Sequence, residues 1–147
     1  MSPFLVGVML SLVPLDTPTP PVSGAVVEHF RAPTCLRCAG RRGVVIASAP
    51  ASEVRAVQPG TVSYAGQVAH RLYVVIDLAP TVKVTYGWLD AAVVSKGQSV
   101  HRGDPIGRAG SRTYLGVRIG GRYVEPLGYL GLRPGRLTGA GTISRVR

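Results

Sequence analysis

The chain has 147 residues and a formal net charge of +10, with 17 basic against 7 acidic residues. This length suits one compact domain with short extensions. The basic residues are almost all arginine, no stretch holds five like charges in a row, and they are not interleaved with aromatic residues. This pattern argues against nucleic-acid binding. Two interpretations of the charge stay open, an anionic partner or an arginine-rich surface in contact with solvent.

Residues 1–15 form an apolar segment at the start of the chain. With about a dozen apolar residues it is too short to span a membrane, so no transmembrane span is predicted. It is similar to the apolar core of a signal peptide, although it lacks a basic start and a small-x-small cleavage site. We therefore predict an exported protein with a truncated signal peptide; the alternative is an apolar N-terminus without a targeting role. Residues 16–21 (Asp-Thr-Pro-Thr-Pro-Pro) predict a stiff linker.

Residues 22–130 are predicted to form the folded part, which is all-β with little helix. Short Val-rich runs alternate there with turn signals, as in an antiparallel sheet or a barrel-like sandwich. The predicted strands are Ala25–His29, Val44–Ala47, Glu53–Val57, Gly60–Ala65, Leu72–Leu78, Val82–Trp88, Tyr114–Ile119 and Arg122–Val124. Residues 131–147 are rich in glycine and arginine, lack a core pattern and are predicted to form a basic tail that frays.

Glycines mark the predicted turns. Gly120-Gly121 lies between two strand-like runs and predicts a two-residue hairpin. Positive φ at sharp turns is predicted for five more glycines, namely Gly60, Gly66, Gly97, Gly103 and Gly107.

Two cysteines, Cys35 and Cys38, lie in the loop Pro-Thr-Cys-Leu-Arg-Cys-Ala-Gly. A single Cys-x-x-Cys pair cannot complete a four-ligand zinc site, and no predicted helix follows it as in thioredoxin-like proteins. In an exported protein a small loop-closing disulfide is favoured. Two free thiols are the alternative.

Several segments occur in the order found in one protein family. The most specific is Val54–Gly66, which fits V-x-A-x-x-x-G-x-V-x-x-A-G. Tyr86–Leu89 fits Tyr-x-His-Leu except at the histidine, and Val93–Gly107 contains V-x-x-G-x-x-V-x-x-G-x-x-I-G. With the closing hairpin Val117–Leu127, these segments make residues 22–130 resemble the lysostaphin/LytM-like zinc endopeptidases. That family cleaves peptidoglycan and has the duplicated hybrid motif fold.

The resemblance also implies where a zinc site would lie. In active members, a histidine and an aspartate four residues apart hold the zinc together with the second histidine of a His-x-His pair. Here these positions correspond to Arg41, Val45 and Tyr114. The two histidines that assist catalysis correspond to Arg112 and Trp88. Valine has no lone pair, arginine is a fixed cation and tryptophan only donates, so the resemblance implies a member with no catalytic residue, no metal and no cofactor.

The remaining histidines, His29, His70 and His101, do not have the spacing of a ligand set and are predicted to lie on the surface.

The vacated cleft suggests a binding groove. Arg41 and Arg112 are expected to face each other across it, where two guanidinium groups suit a carboxylate or phosphate. Trp88 and Tyr114 add flat faces for sugar rings or apolar side chains. The alternative is that Trp88 fills the cavity by packing while the arginines extend into solvent.

By analogy with the family, the expected function is that of a non-catalytic LytM-like domain, secreted or in the cell envelope. Its expected partner is peptidoglycan, an anionic wall polymer or a wall hydrolase that it regulates. One alternative is an active cell-wall metalloendopeptidase with an unrecognised site. Another is a biotinyl- or lipoyl-like carrier, for which Lys96 beside Gly97 is the candidate attachment residue.

Overall fold

The computed structural model describes residues 19–35 and 37–132, together with the backbone of residues 136–137. This part of the chain contains ten strands and one short helix. They are β1 (Gly24–Glu28), β2 (Gly43–Ser48), β3 (Glu53–Arg55), β4 (Gly60–Val68), β5 (Arg71–Ala79), β6 (Val82–Ala92), β7 (Ser99–Val100), β8 (Pro105–Ile119), β9 (Arg122–Val124), α1 (Pro126–Leu130) and β10 (Arg136–Leu137). The strands form one antiparallel sheet in the order β10-β1-β2-β8-β6-β5-β4-β7, with β3 and β9 paired to β8. The predicted all-β antiparallel fold with little helix is confirmed.

The core lies against one face of the central strands β2, β8, β6 and β5. Residues that point to it are fully buried, among them Ile46, Tyr86 and Leu115. The hydroxyl of Tyr86 accepts a 3.0 Å hydrogen bond from the backbone N–H of Val57, so both polar groups are satisfied inside the core. Because side chains alternate between the two faces of a strand, the opposite face of the same four strands is left to build a site.

Strand β8 is the longest strand and extends far beyond the predicted Tyr114–Ile119. Its first half pairs with β3 and β6, and its middle pairs with β2. This first half contains Gly107 and Gly110, which weaken any strand pattern in the sequence. A Cβ at Gly107 would lie 2.5 Å from the carbonyl oxygen of Ala91. The glycine is therefore required by the close approach of β6, a contact that is invisible in the sequence.

The glycine predictions divide into two groups. Positive φ confirms the turns at Gly97 and Gly103 and the hairpin at Gly120-Gly121. The turn prediction is wrong for Gly60, Gly66 and Gly107, which lie inside β4 and β8. At Gly60, a Cβ would lie 2.3 Å from the carbonyl oxygen of Asp77. Glycine allows two strands to approach closely there and does not serve a turn.

β4 and β5 form a hairpin that is longer than predicted. Its turn consists of Ala69 and His70, which have φ values of 52° and 69° without being glycine. On the outer side of β4, the short strand β7 pairs only with Gly60 and Thr61. No described strand covers that side from residue 64 to residue 68, so this stretch forms an edge of the sheet.

The ends of the chain are described only in part. The carbonyl oxygen of Pro21 accepts a 2.8 Å hydrogen bond from the N–H of Arg55, and Val22 belongs to the core. Within the predicted tail, Arg136–Leu137 pair with Gly24 and Ala25 of β1 instead of fraying. The predicted signal-like segment, residues 16–18 of the linker and the rest of the tail beyond residue 132 lie outside the described residues. Within the described ranges, no helix has the length and apolar character needed to cross a membrane.

Candidate functional site

One row of residues crosses five adjacent strands on the face opposite the core. Glu28 lies opposite Val45, and Val45 lies opposite Tyr114. Tyr114 in turn lies opposite Gly87, and Gly87 lies opposite Tyr73. Residues directly opposite each other in neighbouring strands share a face of the sheet. The row therefore joins two positions derived from the resemblance to three residues that the sequence analysis did not single out.

A β-bulge in β1 turns Glu28 onto this face. β1 and β2 pair regularly up to Val26, and the next pair is Glu28 opposite Val45, so Val27 is the extra residue. In an unbroken register, Glu28 would lie opposite Val44, which is fully buried in the core. Because a bulge shifts the alternation of side chains by one residue, it keeps the carboxylate out of the core and adds it to the site.

Two arginines hold the carboxylate of Glu28. Nη1 of Arg112 lies 3.0 Å from Oε2, and Nε of Arg41 lies 3.8 Å from Oε1. Each oxygen therefore faces a different guanidinium group. Two backbone hydrogen bonds with Arg31, 2.8 and 3.0 Å long, position Arg41. The side chains remain in contact with water, with exposed fractions of 37% for Glu28, 53% for Arg41 and 54% for Arg112.

Trp88 occupies a second bulge, in β6. Between Gly87 and Leu89 the register shifts against both β5 and β8, and Trp88 has a φ of 63°. A non-glycine residue in this left-handed region is costly for the backbone. Its indole N–H donates a 3.2 Å hydrogen bond to the hydroxyl of Tyr73, and the guanidinium of Arg71 lies 4.1 Å from the ring centroid. These contacts fix the ring on the site face.

Three glycines make room for the tyrosines beside Trp88. The centroids of the Trp88 and Tyr114 rings lie 5.7 Å apart. A Cβ at Gly43 or at Gly116 would lie 2.7 Å from atoms of the Tyr114 side chain, and one at Gly87 would lie 2.6 Å from the Tyr73 ring. The tyrosine rings thus pack over glycine backbone and cover surface that the glycines themselves leave bare, an arrangement that stabilises strands containing glycine.

A groove with a volume of about 510 Å³ lies beside this cluster. Aromatic, cationic and anionic groups border it together, which suits a ligand that has both apolar and charged parts. Its lining residues are Glu28, His70, Arg71, Trp88, Leu89, Asp90, Gly110, Ser111 and Arg112.

Tyr114 makes the stability of the domain sensitive to alkaline pH. Burial, with smaller effects from Tyr123 and Tyr73, raises the pKa of its hydroxyl to about 12. Since tyrosine in an unfolded chain ionises near pH 10, this contribution to stability is complete below that pH and is lost as the pH rises towards 12. As the pH rises from about 10 to about 12, we expect the free energy of unfolding of Tyr114→Phe to fall by about 2 kcal/mol less than that of the natural protein. Urea unfolding measures both. Tyr86, whose pKa burial also raises, is unchanged in both proteins and contributes equally.

The residues at the implied zinc positions do not fit a zinc ion. Val45 is 3% exposed and has no donor atom. Arg41 and Arg112 are cations that repel a metal, and the carboxylate of Glu28 is already paired with both. Within the described residues, no three or more histidine, cysteine, aspartate or glutamate side chains gather closely enough to hold a metal ion. No catalytic step through a metal is therefore derived for this site.

The other candidate residues lie apart from the cluster, with one exception. His29, His70 and His101 are all exposed, and His70 is the one that lines the groove. Lys96, the candidate attachment residue of a carrier, is exposed in the turn that connects β6 and β7. Cys35 and Cys38 form a disulfide in the loop between β1 and β2.

The contacts of the five implied positions define the site, and sequence reasoning missed part of it. Val45, Trp88 and Arg112 are linked through Tyr114 or Glu28, and Arg41 reaches the same carboxylate. The sequence predicts a regular strand at Glu28, and no pattern indicates which face of the sheet its side chain lies on. The bulge that redirects it depends on pairing with β2 and has no local signal in the sequence. The sequence leaves Arg71 in a loop that begins at the predicted turn Gly66, whereas the observed turn lies at Ala69 and His70 and Arg71 begins β5. Tyr73 lies in the predicted strand Leu72–Leu78, where no local pattern marks it as part of a site.

Comparison with known proteins identifies the framework. Residues 39–126 match Peptidase family M23. An uncharacterized protein of Neisseria meningitidis serogroup B is 33% identical over 96 residues, which cover 60% of this chain and 16% of that protein. Csd3 of Helicobacter pylori has a TM-score of 0.68 and 25% identity over 88% of this chain and 35% of Csd3. The chain thus spans about a third or less of the length of these two relatives.

Two more distant structures show the fold alone. A zinc containing peptidase from Vibrio cholerae has a TM-score of 0.61 and 23% identity over 75% of this chain and 38% of that chain. A chain of the SpoIIIAH and SpoIIQ complex has a TM-score of 0.63 and 19% identity over 71% of this chain and 91% of that chain. The family match covers more than half of the sequence and confirms the resemblance drawn from its motifs. The chain belongs to peptidase family M23.

Proposed function

We propose that this M23 domain does not cleave peptide bonds and that its groove binds cell-wall material or a segment of a wall hydrolase, in the cell envelope. The observation that carries the proposal is the Arg41–Glu28–Arg112 ion-pair cluster beside packed Trp88 and Tyr114. A hydrolytic zinc needs three protein ligands and an open position for water. At the positions that the resemblance implies for this zinc, the chain has ion pairs and packed rings, which supports binding over hydrolysis.

The fold is shared with proteins of different roles. The same fold occurs in a zinc containing peptidase and in a complex between two named proteins, SpoIIIAH and SpoIIQ. The fold is therefore compatible with both cleavage and assembly, and the proposal rests on the residues of the site. The disulfide between Cys35 and Cys38 supports an oxidising compartment, as in the cell envelope.

Replacing Trp88 by alanine tests the groove as the binding surface. Aromatic residues at the centre of an interface often contribute about 2 kcal/mol or more, so we expect recovery of the partner to fall by about thirtyfold. The bait is the purified domain, with isolated peptidoglycan as one probe and a detergent extract of the envelope as the other. Co-sedimentation measures the first and affinity capture the second.

The matched control is Tyr129→Ala. Tyr129 is an exposed aromatic residue on α1, with an exposed fraction of 47%, and it does not line the groove. Equal recovery by the natural protein and Trp88→Ala, at equal thermal stability, would place binding outside the groove. Zinc bound at one ion per chain together with release of wall fragments would instead establish an active peptidase and overturn the proposal.

A further inference from the structure

We infer that Glu28 is an exchangeable internal ligand, and that the groove binds a carboxylate of another molecule on Arg41 and Arg112 in its place. The inference rests on the proposed binding role of the groove and names the chemical group that it recognises. Two arginines face the two oxygens of one carboxylate, through Nη1 of Arg112 at 3.0 Å and Nε of Arg41 at 3.8 Å. The site is thus already shaped around a carboxylate that the chain itself supplies.

Arg112 is fixed more firmly than the carboxylate, because it lies in the middle of β8 opposite Ala47 of β2. Arg41 is bound to Arg31 through two backbone hydrogen bonds. Glu28 ends β1, which is paired with β10 only at Gly24 and Ala25. At the bulge before Glu28, β1 is therefore held by β2 alone among the described strands. Departure of this side chain requires a local change at a sheet edge and leaves Arg112 in position on β8.

Water already reaches every partner in this ion-pair cluster. More than a third of the Glu28 side chain and about half of each arginine side chain are exposed. Ion pairs of this exposure are weak, since solvent screens them and each partner can be hydrated. Each guanidinium group also has five N–H donors, more than Glu28 uses. A carboxylate carried by a ligand that also contacts Trp88 in the groove can therefore replace Glu28.

If a ligand carboxylate replaces Glu28, removing the negative charge of Glu28 is expected to strengthen binding of that ligand. When an internal group occupies a site, only the molecules in which the site is free can bind a ligand. The apparent affinity is therefore the intrinsic affinity multiplied by that free fraction. For a partly exposed ion pair, the loss of apparent affinity caused by the internal group is at most about fivefold. We expect Glu28→Gln to bind N-acetylglutamate up to about fivefold more tightly than the natural protein. Fluorescence of Trp88, the single tryptophan of the chain, reports the binding.

The matched control is Glu53→Gln, because Glu53 also pairs with an arginine, Arg55, and has a similar exposed fraction of 35%. It removes the same charge outside the groove and is expected to leave affinity unchanged. N-acetylglutamine amide, in which both carboxylates of N-acetylglutamate are replaced by amides, serves as the uncharged probe and is expected to bind neither variant. Adding Arg112→Gln to Glu28→Gln is expected to remove the gain, and thermal unfolding verifies that each variant is folded.

Several results would overturn the inference. They are unchanged or weaker binding of N-acetylglutamate by Glu28→Gln, an equal gain in Glu53→Gln, and stronger binding of inorganic phosphate than of N-acetylglutamate. If one of these results occurs while Trp88→Ala still loses its partner, the carboxylate inference is wrong and the proposed function stands. The reverse outcome, a gain in Glu28→Gln with partner recovery independent of Trp88, would support the carboxylate site and reject the proposed function.

Discussion

Zinc binding is expected to appear when Arg41, Val45 and Tyr114 are replaced together by histidine, aspartate and histidine. Val45 and Tyr114 lie directly opposite each other in β2 and β8, and Arg41 reaches the carboxylate opposite Val45. Side chains in these positions converge on one face, and two histidines with one aspartate make a ligand set that zinc accepts. The substitution of Tyr114 also removes a ring from the space that the metal requires.

The expected gain is large because the substituted domain without metal is destabilised. An aspartate at buried Val45 is unpaired until zinc binds it. Zinc at a thousandfold excess over its dissociation constant would then stabilise the fold by about 4 kcal/mol, or a rise in melting temperature of roughly 10 °C or more. Calorimetry with and without a chelator measures the rise, and metal analysis measures the stoichiometry.

A control variant separates a built site from adventitious binding by histidine. It carries the same changes at residues 41 and 45, but its second histidine replaces Arg118, further along β8 from the site. This variant is expected to show no stoichiometric zinc. If the first variant is folded and also binds none, the three positions implied by the family do not converge on one point, and their assignment as the zinc position of the family is wrong.

Replacing Gly116 by alanine is expected to cost about 2 kcal/mol in the free energy of unfolding, because overpacking of this size usually does so. A Cβ at this position would lie 2.7 Å from the Tyr114 hydroxyl oxygen and 3.1 Å from two ring carbons. The three nearest heavy atoms all belong to that one side chain. After Tyr114→Ser, the same glycine substitution is expected to be neutral or to stabilise by about 0.5 kcal/mol, since alanine suits a strand better than glycine.

Gly43 provides the contrast for this experiment. A Cβ there would meet the Tyr114 ring at 2.7 Å but also the carbonyl oxygen of Leu115 at 2.4 Å. Gly43→Ala is therefore expected to destabilise with or without the tyrosine ring. Urea unfolding of the single and double variants gives the coupling energy directly. An equal cost of Gly116→Ala in both backgrounds would show that Tyr114 does not lie over Gly116 in solution.

The scaffold was predictable because its signals are local. Turn glycines and short Val-rich runs lie next to each other in the sequence, and the segment Val54–Gly66 is specific enough to indicate the family. The helix α1 and the extra strands were missed because each is too short to show a period. The first half of β8 was missed because its glycines follow from contacts with β6, and these contacts depend on the folded sheet.

The site was predictable only as a set of positions. The resemblance indicated Arg41, Val45 and Trp88 from well-matched strands. It does not indicate Glu28, because this side chain reaches the groove through a bulge that forms only when β1 pairs with β2. The expectation of two arginines facing an open cleft was therefore incomplete, because the chain supplies its own carboxylate between them.

The uncovered edge of β4 is a place where a second copy of the domain can add its own strand. No residue from 64 to 68 carries a charge that would discourage such pairing. Protection comes from shape: a bulge lies between Val62 and Tyr64, and the Tyr64 hydroxyl donates a 3.1 Å hydrogen bond to the carbonyl oxygen of Gln67. The bulge and the tyrosine folded back on its own strand together make this edge less suited to pairing, so damage to the ring is expected to affect solubility before it affects folding.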